Sequence, residues 1–177
     1  DLYATNSEGT AYGAEVTYVT PMPTFPPTVN TGSQFLALTE GFEDMATLSE
    51  WETIDNDGDG KNWSIATESY HSGSRCMRSR SWNGSALTPD NYLITPDITL
   101  PSGTSPILTF WHKGSDNPSY ANEQFFVKVG NAGASTVGDF VTVHNAQSSD
   151  EYTQAVVNLS SYAGQTIRLA FVHNDSD

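Results

Sequence analysis

Between residues 35 and 177 apolar residues alternate with polar ones in short runs, and no stretch repeats them at the spacing of a long amphipathic helix. A period of two puts every second side chain on one face, so a chain written this way folds as paired strands with one face toward a core. "EQFFVKVGN" sets Phe125, Val127 and Val129 on one face and points Lys128 the other way, and "QTIRLAFVHN" opposes Ile167, Leu169 and Phe171 to Arg168. "NYLITPDITL" is a strand broken at Pro96, because proline has no N–H to give a ladder. "SPILTFWHKG" carries bulk on both faces, Ile107, Thr109 and Trp111 against Leu108, Phe110 and His112, and reads as a central strand. "GDFVTVHN" and "YTQAVVNLSSYAG" supply further strands, while Met45, Leu48 and Trp51 in "MATLSEW" are spaced for one helical turn. About eight short strands separated by Gly, Pro, Asn and Ser turns predict an all-β fold, an antiparallel β-sandwich with jelly-roll topology.

Composition narrows the function by exclusion. The net charge of −14, from 21 acidic and 7 basic residues, opposes binding to nucleic acid and to anionic membrane surfaces, both of which demand clustered Lys and Arg. Charged residues make up only 16% of the chain, so Ser, Thr, Asn, Gln and Gly cover much of its surface, a composition suited to a secreted β protein. Cys76 is the single cysteine, which rules out an intrachain disulfide; in "GSRCMRSRSW" it reads as a small apolar thiol on a strand. Stability therefore has to come from core burial, to which a bound metal can add. No run of apolar residues is long enough to span a membrane, so no membrane insertion is expected.

One stretch concentrates the negative charge. "TIDNDGDGKNWS" places Asp55, Asp57 and Asp59 at alternate positions with Gly58 and Gly60 around them. Carboxylates this close repel unless something positive sits among them, and a hard cation, Ca2+, is the expected partner. The pattern matches the first half of the EF-hand loop, but the twelfth position is Ala66 where that loop needs a bidentate Glu, and Glu68 comes two residues late. The flanks "EWETI" and "NWSIAT" suit strands rather than the helices of an EF-hand. Remaining ligands would come from backbone carbonyls, water or a distant segment. The competing reading is a solvated Asx and Gly turn between two strands.

Other chemistry is not written into the chain. His71, His112, His144 and His173 are scattered without metal-ligand spacing, and there is no nucleophile elbow, Walker loop or dinucleotide fingerprint, so no enzyme is expected. Trp51, Trp63 and Trp111 fall in strand or helical patterns and read as core. Trp82 in "SRSWNGS" and Tyr120 in "NPSYANE" fall in polar, turn-like stretches and are the candidate ligand-binding aromatics.

The opening "DLYATNSEGTAYGAEVTYVT" reads as a strand with Leu2 and Ala4, a turn over "NSEGTAYG", and a strand with Val16, Tyr18 and Thr20. It resembles the last hairpin of a fibronectin type III-like domain, which makes residues 1–20 the end of a preceding domain. Residues 21–34, "PMPTFPPTVNTGSQ", are a proline-rich linker. From residue 35 to 177 the sentences "GFEDMATLSEWETIDNDGDGKNWS", "ALTPDNYLITP", "LTFWHKGSDNPSYANEQFFVKV" and "LSSYAGQTIRLAFVHN" resemble, in the right order, the cleaved adhesin family of gingipain and haemagglutinin modules, also described as choice-of-anchor J domains; the opening is similar to MAM domains as well. Members of that family continue past "VHNDSD" into one more strand with an Asp-Asp pair, so a sandwich short of its last strand is expected.

The resemblance implies a non-catalytic, secreted or surface-attached module, monomeric within a larger chain, that binds calcium and attaches to host extracellular proteins or cells. Its Phe-Glu pair falls on Phe42 and Glu43, its Asp-Gly loop on Asp55 to Gly60, and its "Y-A-x-E" on Tyr120, Ala121 and Glu123. The metal set it implies is Glu43, Asp55, Asp57, Asp59 and Glu123, a set left incomplete if the last strand is missing. The alternative is a carbohydrate-binding module attached to a secreted glycan-degrading enzyme, with Trp82 and Tyr120 stacking on a host glycan; a spacer without a ligand is the third reading.

Overall fold

A computed structural model describes residues 3–6, 9–12 and 35–175. Strands Tyr3–Asn6 (β1) and Gly9–Tyr12 (β2) pair antiparallel, with Tyr3 opposite Tyr12 and Asn6 opposite Gly9. The return strand thus lies inside the stretch the sequence assigns to the turn. Thr10 and Tyr12 are strand formers, and they take up pairing soon after the chain reverses. Val16, Tyr18, Thr20 and the stretch 21–34 lie outside the described residues. The hairpin belongs to one unit, and residues 36–177 form another.

In the larger unit Asp44 starts the short helix α1 (Met45–Leu48), its side chain accepting the Ala46 N–H at 2.8 Å in place of an intrahelical partner. The strands that follow are β3 (Glu52–Asp55), β4 (Ser64–Ala66), β5 (Cys76–Arg78), β6 (Asp90–Ile94), β7 (Ile98–Thr99), β8 (Ile107–His112), β9 (Gln124–Asn131), β10 (Val141–Gln147), β11 (Thr153–Asn158) and β12 (Thr166–Asn174). The main sheet runs β10-β9-β12-β6-β3, with β7 beside the start of β12, and every ladder is antiparallel. β8 and β11 pair to form the second layer, and β4 pairs with β5.

The core follows from the alternation. Val127 and Val129 of β9, Ile167 and Leu169 of β12, and Ile98 and Leu100 face Val157 and Leu159 across the two layers, each at most 6% exposed. Phe110 of β8 closes the interior edge-on to Phe171, centroids 5.0 Å apart. The fold is therefore the expected antiparallel β-sandwich. The opposite face of the main sheet is also partly covered: Tyr92, Ile94, Ala170 and Val172 pack beneath Ala134 and Phe140 from the segment between β9 and β10.

The expectation that β8 is a central strand fails, since among the described residues it pairs with β11 alone. Bulk on both of its faces records two coverings rather than two strand neighbours. Phe110 enters the core, while Trp111 on the outer face is covered by His71, the rings stacked at 3.9 Å. Trp51 and Trp63 are half-buried, Trp51 against Phe42 and Phe171, and Trp63 with its indole N–H donating to the Asn91 carbonyl at 3.0 Å. Cys76 lies on β5, where burial raises its thiol pKa and keeps it in the unreactive protonated form.

Candidate functional site

β3 ends at Asp55, and the chain turns back through Gly58 and Gly60, both at positive φ (73° and 77°), where a side chain would be strained. The turn folds around its own carboxylates. Asp55 accepts the N–H groups of Gly58 and Gly60 at 2.9 Å each; Asp57 accepts those of Asp59 at 3.1 Å and Asp90 at 3.0 Å; Asp59 accepts that of Lys61 at 2.6 Å. The result is that each of the three acids offers an oxygen within 4.8 Å of the others. Among the described residues no Lys, Arg or His forms an ion pair with any of them.

The electrostatics register that crowding. A hydrogen bond with Asp57, then the amides of Gly60 and Gly58, hold the Asp55 carboxyl below its ordinary pKa against the pull of burial. Burial, with the neighbouring carboxylates of Asp55 and Asp59, pushes Asp57 up although two amides oppose it. One proton or one cation among the three relieves this. An all-carboxylate donor set fits a hard cation such as Ca2+, which takes six to eight oxygens, so three side chains are a partial shell that backbone carbonyls and water would complete.

Glu43 does not join this group. Its carboxylate accepts the Ser74 N–H at 2.7 Å, the Arg75 N–H at 3.0 Å and the Ser74 hydroxyl at 2.6 Å, and these bonds, the hydroxyl's first, lower its pKa. Gly73 permits the arrangement: it sits at φ 71°, and a Cβ there would collide with the Glu43 carboxylate. Glu43 is thus an anchor that fastens the segment before α1 to the one before β5.

Glu123 lies apart from both. It immediately precedes β9, its backbone held at both ends by Ser148, whose hydroxyl takes the Glu123 N–H at 3.1 Å and whose N–H donates to the Glu123 carbonyl at 2.9 Å. Its carboxylate accepts the Ser81 hydroxyl on one oxygen and meets His173 Nε2 at 3.1 Å on the other. With Glu123 ionised, Nε2 carries the proton, and Nδ1 accepts from the Ser79 hydroxyl at 2.9 Å, which in turn accepts the Asn91 amide at 3.1 Å. Burial works against the charged form of Glu123, but the bonds from His173 and Ser81 outweigh it and leave the pKa lowered. Neither Ser79, Ser81 nor His173 is marked by a sequence motif. The available signal is parity: His173 shares the core face of β12 with Ile167, Leu169 and Phe171, and a buried histidine needs a partner.

This clamp fastens the two loops that carry the candidate aromatics. Trp82 follows Ser81 in a tight loop closed by bonds from Asn83 to Ser85 and from Leu87 to Ser81, and it is 60% exposed. Tyr120 ends a 3-10 turn capped by Asn117, three residues before Glu123, and is 65% exposed. Both rings lie outside the core clusters and present most of their apolar surface to solvent.

Residues 35–176 match the model of the Cleaved Adhesin Domain family. The chain is 32% identical over 163 residues, 77% of its length, to Hemagglutinin A of Porphyromonas gingivalis strain W83, and 35% identical over 114 residues, 59% of its length, to Lys-gingipain W83 of the same species. It spans only 7% and 6% of those two proteins. Among solved structures it is similar to the K1 and K2 cleaved adhesin domains of Lys-gingipain, with TM-scores of 0.61 and 0.60 at 30% and 28% identity, covering 72% of this chain and 82% of each domain. The chain belongs to the Cleaved Adhesin Domain family.

Proposed function

We propose that residues 35–177 form a non-catalytic adhesion module of a secreted or surface-attached multi-domain protein, stabilised by calcium and binding a host extracellular protein or cell. The observation that carries this reading is the pair of exposed rings, Trp82 and Tyr120, on two loops that a buried Glu123 clamp holds in place. Aromatic anchors on a fixed frame keep much of their binding energy, because little side-chain or loop entropy is lost on contact. Membership in a family named for adhesins, and likeness to a haemagglutinin, support a partner of this class. Calcium would be held by Asp55, Asp57 and Asp59 and would supply the charge that lets all three ionise together. At free calcium a hundredfold above the dissociation constant, linkage gives about 2.7 kcal/mol of stability. Glu43 and Glu123 act beside it as internal anchors.

The test is adhesion of the labelled 177-residue chain to red cells and to surfaces coated with extracellular matrix proteins, with Trp82→Ala and Tyr120→Ala beside the parent. Each substitution is expected to weaken binding about tenfold or more while leaving the melting temperature unchanged. Binding that both variants retain in full would refute the assigned contact surface.

A further inference from the structure

The outer face of the main sheet is covered by Ala134 and Phe140 over only part of its area. Beside them lies an open groove of about 190 Å³ lined by Asp90, Tyr92, Phe126, Lys128, Thr142 and Asn174. The ladder registers explain why these six meet. Asp90 pairs with Asn174, Tyr92 with Val172, Val172 with Phe126, and Lys128 with Thr142, so one face of four adjacent strands presents them together. None of them belongs to the clamp, and Asp90 touches the group of three carboxylates only through its backbone N–H, which Asp57 accepts.

Lys128 is the unusual member. Its ammonium donates to the Tyr92 hydroxyl at 2.8 Å and lies 4.9 Å from the centre of the Tyr92 ring and 5.9 Å from that of Phe126. It forms no ion pair with Asp90, which lines the same groove and receives the Asn56 amide on one carboxylate oxygen. An ammonium has three N–H donors, so two remain to point at an occupant. The groove thus offers donors on Lys128, an acceptor on Asp90, groups on Thr142 and Asn174 that do both, and an apolar wall on Phe126.

We propose that this groove binds a single sugar ring. Hydroxyl groups donate and accept at once, which suits a lining of mixed donors and acceptors with one positive and one negative charge. A carboxylate or phosphate ligand would meet Asp90, and an amine would meet Lys128. The volume lies below the range of about 300–1,000 Å³ of drug-sized pockets, so one ring fits rather than a chain, with its continuation in solvent. The inference goes beyond the adhesion surface at Trp82 and Tyr120 and stands on the groove alone.

The experiment is titration of the isotope-labelled 177-residue chain with methyl glycosides of glucose, galactose, mannose and N-acetylglucosamine, followed by amide chemical shifts. At least one glycoside is expected to give saturable shifts at Phe126, Lys128, Thr142 and Asn174. Lys128→Met and the groove-filling Thr142→Trp on the exposed edge of β10 should each weaken that binding about tenfold or more, while Trp82→Ala leaves it unchanged. Absence of saturable shifts with all four glycosides would overturn the proposal. So would shifts confined to the Trp82 and Tyr120 loops, or binding that survives Thr142→Trp.

Discussion

Glu123→Ala decides between two roles for a carboxylate that the family resemblance places in a metal site and the structure places in a clamp. The Glu123 and His173 side chains are 18% and 8% exposed. Truncation leaves the His173 Nε2–H and the Ser81 hydroxyl without an acceptor. Each buried donor left unsatisfied costs about 1–3 kcal/mol, so the two together cost about 2–6 kcal/mol. For a domain of this size, at about 3 °C per kcal/mol, that lowers the melting temperature by about 6–18 °C. Glu123→Gln keeps one carbonyl acceptor for Nε2–H, and the Ser81 hydroxyl can turn to accept from the amide, so it should cost about 1–2 kcal/mol. Thermal unfolding by circular dichroism, run in chelator and in added calcium, reads the result. A clamp loses the same stability in both; a metal ligand loses it only with calcium present.

The pH dependence gives a second check on the same residue. Because the folded-state pKa of Glu123 is lowered, its contribution is fully present above the unfolded carboxylate pKa and is lost as pH falls through the folded value. The gap between parent and Glu123→Gln should therefore close on acidification below the ordinary value of 4.5. A calcium-dependent loss, a loss under about 0.5 kcal/mol, or a gap that widens in acid would refute the clamp.

Three further outcomes follow from other parts of the molecule. Added calcium should raise the melting temperature of the parent, and Asp57→Ala or Asp59→Ala should abolish the rise. In chelator the raised pKa of Asp57 means that the proton it holds stabilises the fold below its unfolded pKa, with that stability lost as pH rises through the folded value. Calcium must displace this proton, so its affinity, measured by calorimetry, should fall as pH drops through the carboxylate range. Arg168→Met should cost about 1–2 kcal/mol in urea unfolding, because Arg168 joins Glu52 at 2.8 Å, Asp97 at 2.9 Å and the Ala134 carbonyl at 3.2 Å; its acidic partners are about half exposed, which holds the loss to the lower part of the range for charged hydrogen bonds.

Local periodicity made most of the sandwich legible, since a strand's parity is fixed by its own residues. Phe125, Val127 and Val129, and Ile167, Leu169 and Phe171, face the core as the alternation requires. Spacing also brought Asp55, Asp57 and Asp59 to one point, because the turn that gathers them is built from their own hydrogen bonds over six residues. What stayed hidden was whatever depends on a distant partner. β8 looked central because a covering loop and a covering sheet leave the same apolar trace. The partners of Glu43 and Glu123 are not legible either, because Ser74 and His173 come from 31 and 50 residues away.

Lys128 shows the same limit and its consequence. Alternation turns it away from the core, which on a single-sided sheet means water. Here the outer face is itself half covered, so the ammonium lies over Tyr92 and Phe126 instead. A cation held at such a border keeps one N–H on Tyr92 and turns its other donors to the open groove, where an occupant can accept from them. The partial cover over the outer face thus creates the groove, and only the assembled sheet brings Asp90, Lys128, Thr142 and Asn174 from four strands to one place.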